Sequence, residues 1–83
     1  MGISYRQNEY LYSYAKDNPP ELKMHMHYYY EFLYFKAGDA SYLVENNIYS
    51  AESGDIFVTR PQELHTIAFH SDKQYERDFI QIS

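Results

Sequence analysis

Three histidines and one glutamate are spaced along this chain so that their side chains could surround one small site. His25 and His27 are separated by one residue, Glu31 follows shortly afterwards, and His65 belongs to a later segment. On a β-strand, His25 and His27 would point to the same face, about 6.6–6.8 Å apart along the strand axis. Imidazole and carboxylate groups in such an arrangement can bind a metal ion or line a polar pocket.

The glutamate can join the histidines only if the chain bends between them. On a straight strand Glu31 would lie about 13 Å beyond His27, at a rise of ~3.3 Å per residue, and no single ion spans that distance. We therefore predict a bulge or turn within residues 28–30 that carries Glu31 onto a neighbouring strand. His65 would then reach the same place from a third segment.

Two kinds of site fit this set of side chains. As metal ligands, His25, His27, Glu31 and His65 would suit a divalent transition metal such as Zn, Ni, Fe or Mn. Without a metal, the same groups can satisfy one another by hydrogen bonds inside a β-structure, so no cofactor is required. Both alternatives stay open from the residues alone. His70 lies outside the pattern, and we predict it at a surface turn.

The rest of the chain carries no recognisable catalytic motif. It has no cysteine and no GxSxG, P-loop, GxGxxG or HExxH motif. Residues 76–78 mix acidic side chains with Arg77, and this pattern is typical of a solvated face. We therefore predict no catalytic residue and no enzymatic activity.

Length and composition limit the chain to a few classes of protein. Eighty-three residues make one domain, so we treat residues 1–83 as a unit. The absence of cysteine fits a reducing compartment, and we expect a cytoplasmic protein. The formal net charge of −5 repels phosphate backbones, so we expect no direct contact with nucleic acid. No apolar run approaches the ~20 residues of a membrane helix, so we expect no membrane association.

Short alternating runs of side chains predict β-strands throughout the chain. Tyr10, Tyr12 and Tyr14 have the spacing of residues on one face of a strand. Further strands are predicted at residues 24–35, 40–44, 48–50, 56–58, 64–69 and 75–82. Residues 45–48 should form a tight hairpin turn, because their asparagines tolerate a positive φ. No segment has a sustained 3.6-residue apolar period, so we predict an all-β sandwich or barrel.

The histidine–glutamate segment resembles the first motif of the cupin family. That motif places an H-x-H pair, a glutamate and a glycine at set spacings. The matching positions here are His25, His27, Glu31 and Gly38. The resemblance implies a small, jelly-roll-like β-barrel.

The second cupin motif is matched in part. It runs from a glycine to a histidine, and Gly54 and His65 occupy the matching ends. Arg60, Gln62 and Phe69 stand where the motif has proline, glycine and asparagine. These departures bear on metal binding more than on the fold.

The chain resembles more closely the N-terminal effector-binding and dimerisation domain of AraC-type transcription regulators. Such domains carry a stretch similar to residues 27–38, then a hairpin, then a stretch similar to residues 54–58 with proline and histidine after it. The likeness covers roughly residues 20–83, the barrel core, whereas residues 1–19 are an amino-terminal arm and first strand. It implies a barrel that binds a small polar effector, with a sugar as one candidate.

The resemblance also implies a DNA-binding helix-turn-helix region that this chain lacks. Because the sequence stops at Ser83, directly after strand-like residues 80–82, we expect a chain truncated at its carboxyl end. Any contact with DNA would then belong to sequence outside this chain.

The effector pocket is expected to contain the histidine–glutamate set and its neighbours. Tyr29, Leu33 and Phe35 share the strand parity of the histidine pair, and Tyr42 and Tyr49 lie across the hairpin. The predicted ligand-binding residues are His25, His27, Tyr29, Glu31, Leu33, Phe35, Tyr42 and His65. Aromatic faces would stack on the C–H faces of a sugar, while the polar groups would hold its hydroxyls.

A different interpretation is a stand-alone metal-binding cupin enzyme of the isomerase or dioxygenase type. The complete first motif favours it, whereas the altered second motif and the small size disfavour it. In both cases we expect a homodimer, because an incomplete barrel leaves strand edges unpaired. The tyrosine-rich residues 5–14 suit such an interface.

Overall fold

Eight strands make up the computed structural model, which describes residues 2–6 (backbone only), 10–19, 24 and 28–82. They are β1 (Gly2–Arg6), β2 (Tyr10–Asp17), β3 (Tyr30–Ala37), β4 (Ala40–Val44), β5 (Asn47–Ser50), β6 (Ile56–Thr59), β7 (His65–Phe69) and β8 (Tyr75–Ile82). The predicted all-β class is confirmed. No helix long and apolar enough to cross a membrane occurs in the described part of the chain.

The strands form two antiparallel sheets. The larger sheet has the order β1-β2-β8-β3-β6, and the smaller sheet has the order β5-β4-β7. Successive side chains of a strand point to opposite faces, so each strand has an inner and an outer set. In β3, Leu33 and Phe35 are buried and Tyr34 between them is exposed. The inner sets of both sheets form the core.

The core is small and largely aromatic. Its buried apolar members come from both sheets and are Leu33, Phe35, Ala40, Tyr42, Ile67 and Tyr75. The Tyr75 ring lies 5.9 Å from that of Phe35 and 5.2 Å from that of Phe69, between centroids. Such tilted pairs stabilise by about 0.5–1.5 kcal/mol each beyond the area they bury. Tyr75 therefore joins the last strand to both sheets.

The outer face of the larger sheet is unusually apolar for a surface that contacts water. The strand register places on it Tyr10, Tyr12, Tyr14, Tyr30, Phe32, Tyr34, Ile56, Val58, Ile80 and Ile82. We call this set the outer face. Among the charged side chains of the same strand parity, Asp78 accepts a hydrogen bond from the Tyr12 hydroxyl at 2.7 Å and pairs with Lys36 at 3.1 Å. The predicted common face of Tyr10, Tyr12 and Tyr14 is confirmed.

The structure departs from the predicted elements at two points and adds a strand. Residues 28–29 form a bend and β3 begins only at Tyr30, so the strand predicted over residues 24–35 is too long, whereas the predicted bend is confirmed. In the β4–β5 turn the positive φ of 53° belongs to Glu45 and not to an asparagine. Two hydrogen bonds with the backbone of Leu64 hold Glu45 there. Strand β1 was not predicted.

The turn between β3 and β4 requires a residue without a side chain. Gly38 has a φ of +142°, and a Cβ there would lie 3.2 Å from Phe35 Cζ and 3.4 Å from Tyr75 Cα. Gly54, with a φ of +96°, has nothing within 4 Å of the same position. Substitution of the two glycines can therefore be compared, because a side chain would strain the backbone at both positions but would crowd the core only at Gly38.

We predict that Gly38→Ala lowers the free energy of unfolding more than Gly54→Ala. Strain at a positive φ costs about 1–3 kcal/mol in both variants. Crowding of Phe35 adds about 1–3 kcal/mol in Gly38→Ala alone. Urea unfolding followed by circular dichroism measures the difference. Equal losses in the two variants would contradict the packing assigned to Gly38.

Candidate functional site

A cavity of about 200 Å³ lies between the two sheets. Both sheets contribute to its wall, which is apolar apart from a few polar side chains. The lining residues are Pro19, Glu31, Leu33, Tyr42, His65, Thr66, Ile67, Tyr75, Arg77 and Phe79. The volume equals that of about six or seven water molecules at ~30 Å³ each, which suits a small metabolite.

Glu31 and His65 form a buried pair at the start of β3 and β7. Their exposed fractions are 5% and 2%, and Glu31 Oε2 lies 3.2 Å from His65 Nε2. His65 Nδ1 lies 2.9 Å from the Glu63 carbonyl oxygen, which only accepts hydrogen bonds, so Nδ1 carries a proton. A neutral imidazole would then turn its Nε2 lone pair toward a carboxylate. A favourable contact between Glu31 and His65 therefore requires a second proton on the pair or a cation between the two groups.

The pKa of His65 is raised above its ordinary value. Burial of the ring is the largest single influence and lowers the pKa, because it disfavours the charged form. The hydrogen bonds to Glu31 and to the Glu63 carbonyl, with the charges of Glu31 and Glu63, together outweigh burial. The site thus favours an imidazolium–carboxylate pair.

Tyr42 supplies a hydroxyl on the opposite sheet. Its oxygen lies 3.0 Å from Thr59 Oγ1, and its ring stacks on Phe57 with centroids 4.7 Å apart. Burial, opposed by the hydrogen bond with Thr59, raises the pKa of Tyr42 to about 12. The hydroxyl therefore stays protonated at neutral pH and can donate a hydrogen bond.

Arg77 was predicted on a solvated face, and this prediction is wrong. The residue is only 8% exposed and lines the cavity. The register of β8 explains the error, because Arg77 pairs with Phe35 and Ala15 on the inner face of the sheet. Its parity with Tyr75 and Phe79 is the signal that could have identified it as an inward side chain.

The structure brings together half of the predicted ligand-binding residues. Glu31, Leu33, Tyr42 and His65 line the same cavity. Phe35 packs in the core and Tyr29 lies in the bend before β3, and neither belongs to the lining.

The two remaining predicted residues, His25 and His27, lie outside the described residues. His70 is exposed at a turn, as predicted, and its Nε2 lies 2.7 Å from Ser41 Oγ. Contact of any of these side chains with a ligand stays a prediction.

The described half of the predicted metal site has suitable donor chemistry. Two ligands about 2.0–2.2 Å from one ion lie roughly 3.3–3.5 Å apart at a tetrahedral angle, close to the separation of Glu31 and His65. The Nδ1–H of His65 is oriented by a carbonyl, as is usual for metal-bound imidazoles. However, no group of three or more potential ligands occurs among the described residues. With His25 and His27 undescribed, the four-ligand site stays a prediction.

We predict that His65 makes stability depend on pH in metal-free protein. Its folded pKa exceeds the ~6.5 of an unfolded chain, so its contribution is complete below about pH 6.5 and is lost as pH rises through the folded pKa. The stability advantage of wild type over His65→Gln should therefore shrink from pH 5.5 to pH 8. Urea unfolding in a chelator measures it, and the other three histidines, common to both proteins, cancel. An advantage that grows with pH would refute the assignment.

Comparisons with known proteins agree with this architecture. A family model for the AraC-like ligand binding domain matches residues 10–82. A Cupin 2 conserved barrel domain protein from Salinispora arenicola superposes with a TM-score of 0.82 at 16% identity, over 99% of this chain and 74% of that one. An RmlC-like cupin with a double-stranded β-helix fold from Methanocaldococcus jannaschii gives 0.79 at 10% identity, over 99% and 80%. No curated protein sequence matches this chain.

Proposed function

Because the chain belongs to the family of AraC-like ligand-binding domains, we propose that it is the sensing domain of an AraC-like transcription regulator. The cavity between the sheets would bind a small polar effector, such as a sugar. The observation that carries this proposal is the presence of Glu31, His65 and Tyr42 in one cavity whose wall also contains apolar side chains from both sheets. Ligand sites are typically built in this way, with few polar groups that fix orientation.

The effector would be held by two kinds of contact. Tyr42 offers its hydroxyl from one wall, while the Glu31–His65 pair offers charged donors and acceptors from another. The apolar side chains Leu33 and Phe79 would cover the C–H faces of the ligand. A ligand bound between these walls would displace water, and each of its polar contacts would be stronger because little water would compete for it.

The relay would be a shift between two arrangements of the sheets. The lining comes from β3 and β8 of the larger sheet and from β4 and β7 of the smaller one. A ligand that contacts both sheets favours the arrangement in which they are closest. The DNA contact is assigned to a helix-turn-helix region elsewhere in a cytoplasmic regulator, because a chain of net charge −5 repels phosphate.

We predict that Tyr42→Phe weakens effector binding about five- to tenfold, which corresponds to loss of a hydrogen bond of about 1 kcal/mol. The measurement is a calorimetric or NMR titration against a panel of monosaccharides, polyols and sugar acids. Tyr34→Phe, which removes a hydroxyl from the outer face, is the matched control and should bind as wild type does. A panel without any binder, or equal affinity in both variants, would contradict the proposal.

We also propose a homodimer in which the outer face is the contact. Tyr10 pairs with Ile82 and Tyr12 with Ile80, so the predicted tyrosine-rich segment continues into exposed aliphatic side chains. Apolar patches of this kind on a soluble domain are typical of interfaces. The pairing of Asp78 with Lys36 reduces the repulsion between two copies that meet there.

Sedimentation at increasing concentration tests this contact. Ile80→Lys on the outer face should weaken the dimer, because it buries an unpaired ammonium group. Ile48→Lys, at a residue that is 71% exposed in the β4–β5 hairpin, should leave it unchanged. A monomer that persists at high micromolar concentration would refute the dimer.

The second candidate function is a metal-binding cupin enzyme of the isomerase or dioxygenase type, and the Glu31–His65 pair favours it. With His25 and His27, these side chains would hold a divalent ion that polarises an oxygen of the substrate. Metal analysis of protein purified without an affinity tag separates the two proposals. Stoichiometric metal that is lost in His27→Ala would support the enzyme, and metal-free folded protein would support the sensor.

A further inference from the structure

Arg77 carries a positive charge into the cavity that the proposed contacts do not use. It is 8% exposed, and its guanidinium lies 4.2 Å from the centroid of the Tyr75 ring. A buried guanidinium is costly unless its charge is paired and its N–H groups are hydrogen-bonded. The partners of Arg77 therefore decide what the cavity can accept.

Only some of the N–H groups of this guanidinium have hydrogen-bond acceptors in the described part of the chain. Within the described residues its hydrogen bonds leave from Nη1, to the Asp17 carboxylate, the Asp17 carbonyl and the Tyr75 carbonyl. The buried Nε has no hydrogen-bond partner there. An arginine presents Nε and Nη2 as a fork that matches the two oxygens of a carboxylate. That fork is left unused by the described residues.

The existing partner does not remove the need for a second acceptor. The Asp17 side chain is 54% exposed and is not part of the cavity lining, so water screens its charge. Inside the cavity, the Glu31 carboxylate is already paired with His65. Nε has almost no accessible surface in this arrangement, so a ligand carboxylate would satisfy it by drawing the Arg77 side chain toward the cavity, and would leave the Glu31–His65 pair intact.

Resting on the sensing function proposed above, we propose that the effector carries a carboxylate and that Arg77 binds it. The ligand class is then a small hydroxy acid or sugar acid, and neutral sugars are excluded as the preferred effector. The carboxylate lies on Arg77, and the rest of the molecule reaches Tyr42 and the Glu31–His65 pair. One arginine and a small volume favour a monoanion over a phosphate ester.

The test uses the full 83-residue chain labelled with ¹⁵N and acetate as the probe. Acetate should shift the Nε–H signal of Arg77 in a saturating manner. Acetamide and sodium chloride at the same concentration should not. Arg60, whose side chain is 73% exposed and pairs with Glu63, is an internal reference that should not saturate. Inorganic phosphate is the competing anion and should bind more weakly than acetate.

Two variants separate ligand binding from a structural role. Arg77→Lys should weaken acetate binding at least about fivefold, because an ammonium cannot form the fork. Asp17→Asn removes the exposed carboxylate that pairs with Arg77 outside the cavity lining, and should retain or strengthen acetate binding. If Arg77→Lys does not fold, the Nε–H signal of the wild type, assigned by triple-resonance experiments, decides alone.

The outcomes also distinguish this inference from the sensing function. An equal shift with chloride, phosphate or acetamide would overturn the carboxylate assignment. If a neutral sugar shifts the signals of Tyr42 while acetate leaves Arg77 unchanged, the carboxylate inference fails and the sensing function stands. If no polyol or carboxylate shifts any cavity residue, both fail.

Discussion

The position of β8 is the constraint on which the rest of the structure depends. It is paired with β2 on one side and with β3 on the other along nearly its whole length. Residues 76–82 are therefore fixed in register by two neighbouring strands. One slip by a single residue would exchange its faces, placing Ile80 in the core and Phe79 in water. Because the register is held, the same strand supplies Tyr75 to the core, Arg77 to the cavity and Ile80 to the outer face.

This small domain buries several polar and charged side chains. Glu31, Thr59, His65 and Arg77 are each at least nine-tenths buried. A chain of this length hides only about 60–65% of its unfolded surface, so its apolar core has little excess stability to offset desolvation. The compensation is local, since His65 is held by Glu31 and Thr59 by Tyr42. Arg77 is the exception, because its Nε remains unsatisfied within the described residues.

Local alternation made most of the strands predictable from the sequence. The bounds of β4 and β8 agree with the prediction because turn residues flank both strands, Gly38 and Asp39 before β4 and residues 71–74 before β8. The bend at residues 28–29 followed from a distance argument, since Glu31 could not otherwise approach the histidines. Glu31 and His65 lie in contact, as the hypothesis of one shared site required.

The failures share one cause, which is that tertiary contacts outweighed local preference. Glu45 adopts a positive φ that asparagine tolerates better, because two hydrogen bonds hold it there. Its amide donates to the Leu64 carbonyl, and its carboxylate accepts from the Leu64 amide. Arg77 looked solvated among charged neighbours, yet its strand parity directs it inward, where Tyr75 and Asp17 receive it. Leu64 and Asp17 are distant in sequence from the residues they bind, so no local pattern reveals these contacts, whereas the strand parity of Arg77 with Tyr75 was a local signal that the charged neighbours obscured.

The pairing of β2 with β8 also affects when the sheet and the cavity can form during folding. Tyr10 lies opposite Ile82, so the larger sheet joins two strands near opposite ends of the described chain. Closing such a loop costs conformational entropy before any contact compensates for it, and sheets of this kind fold slowly. During synthesis β8 is the last of the described strands to be made. Until it is complete, β2 and β3 lack the neighbour that lies between them, and the cavity lacks the wall that carries Tyr75 and Arg77. A nascent chain therefore cannot complete its pocket before β8 has been made.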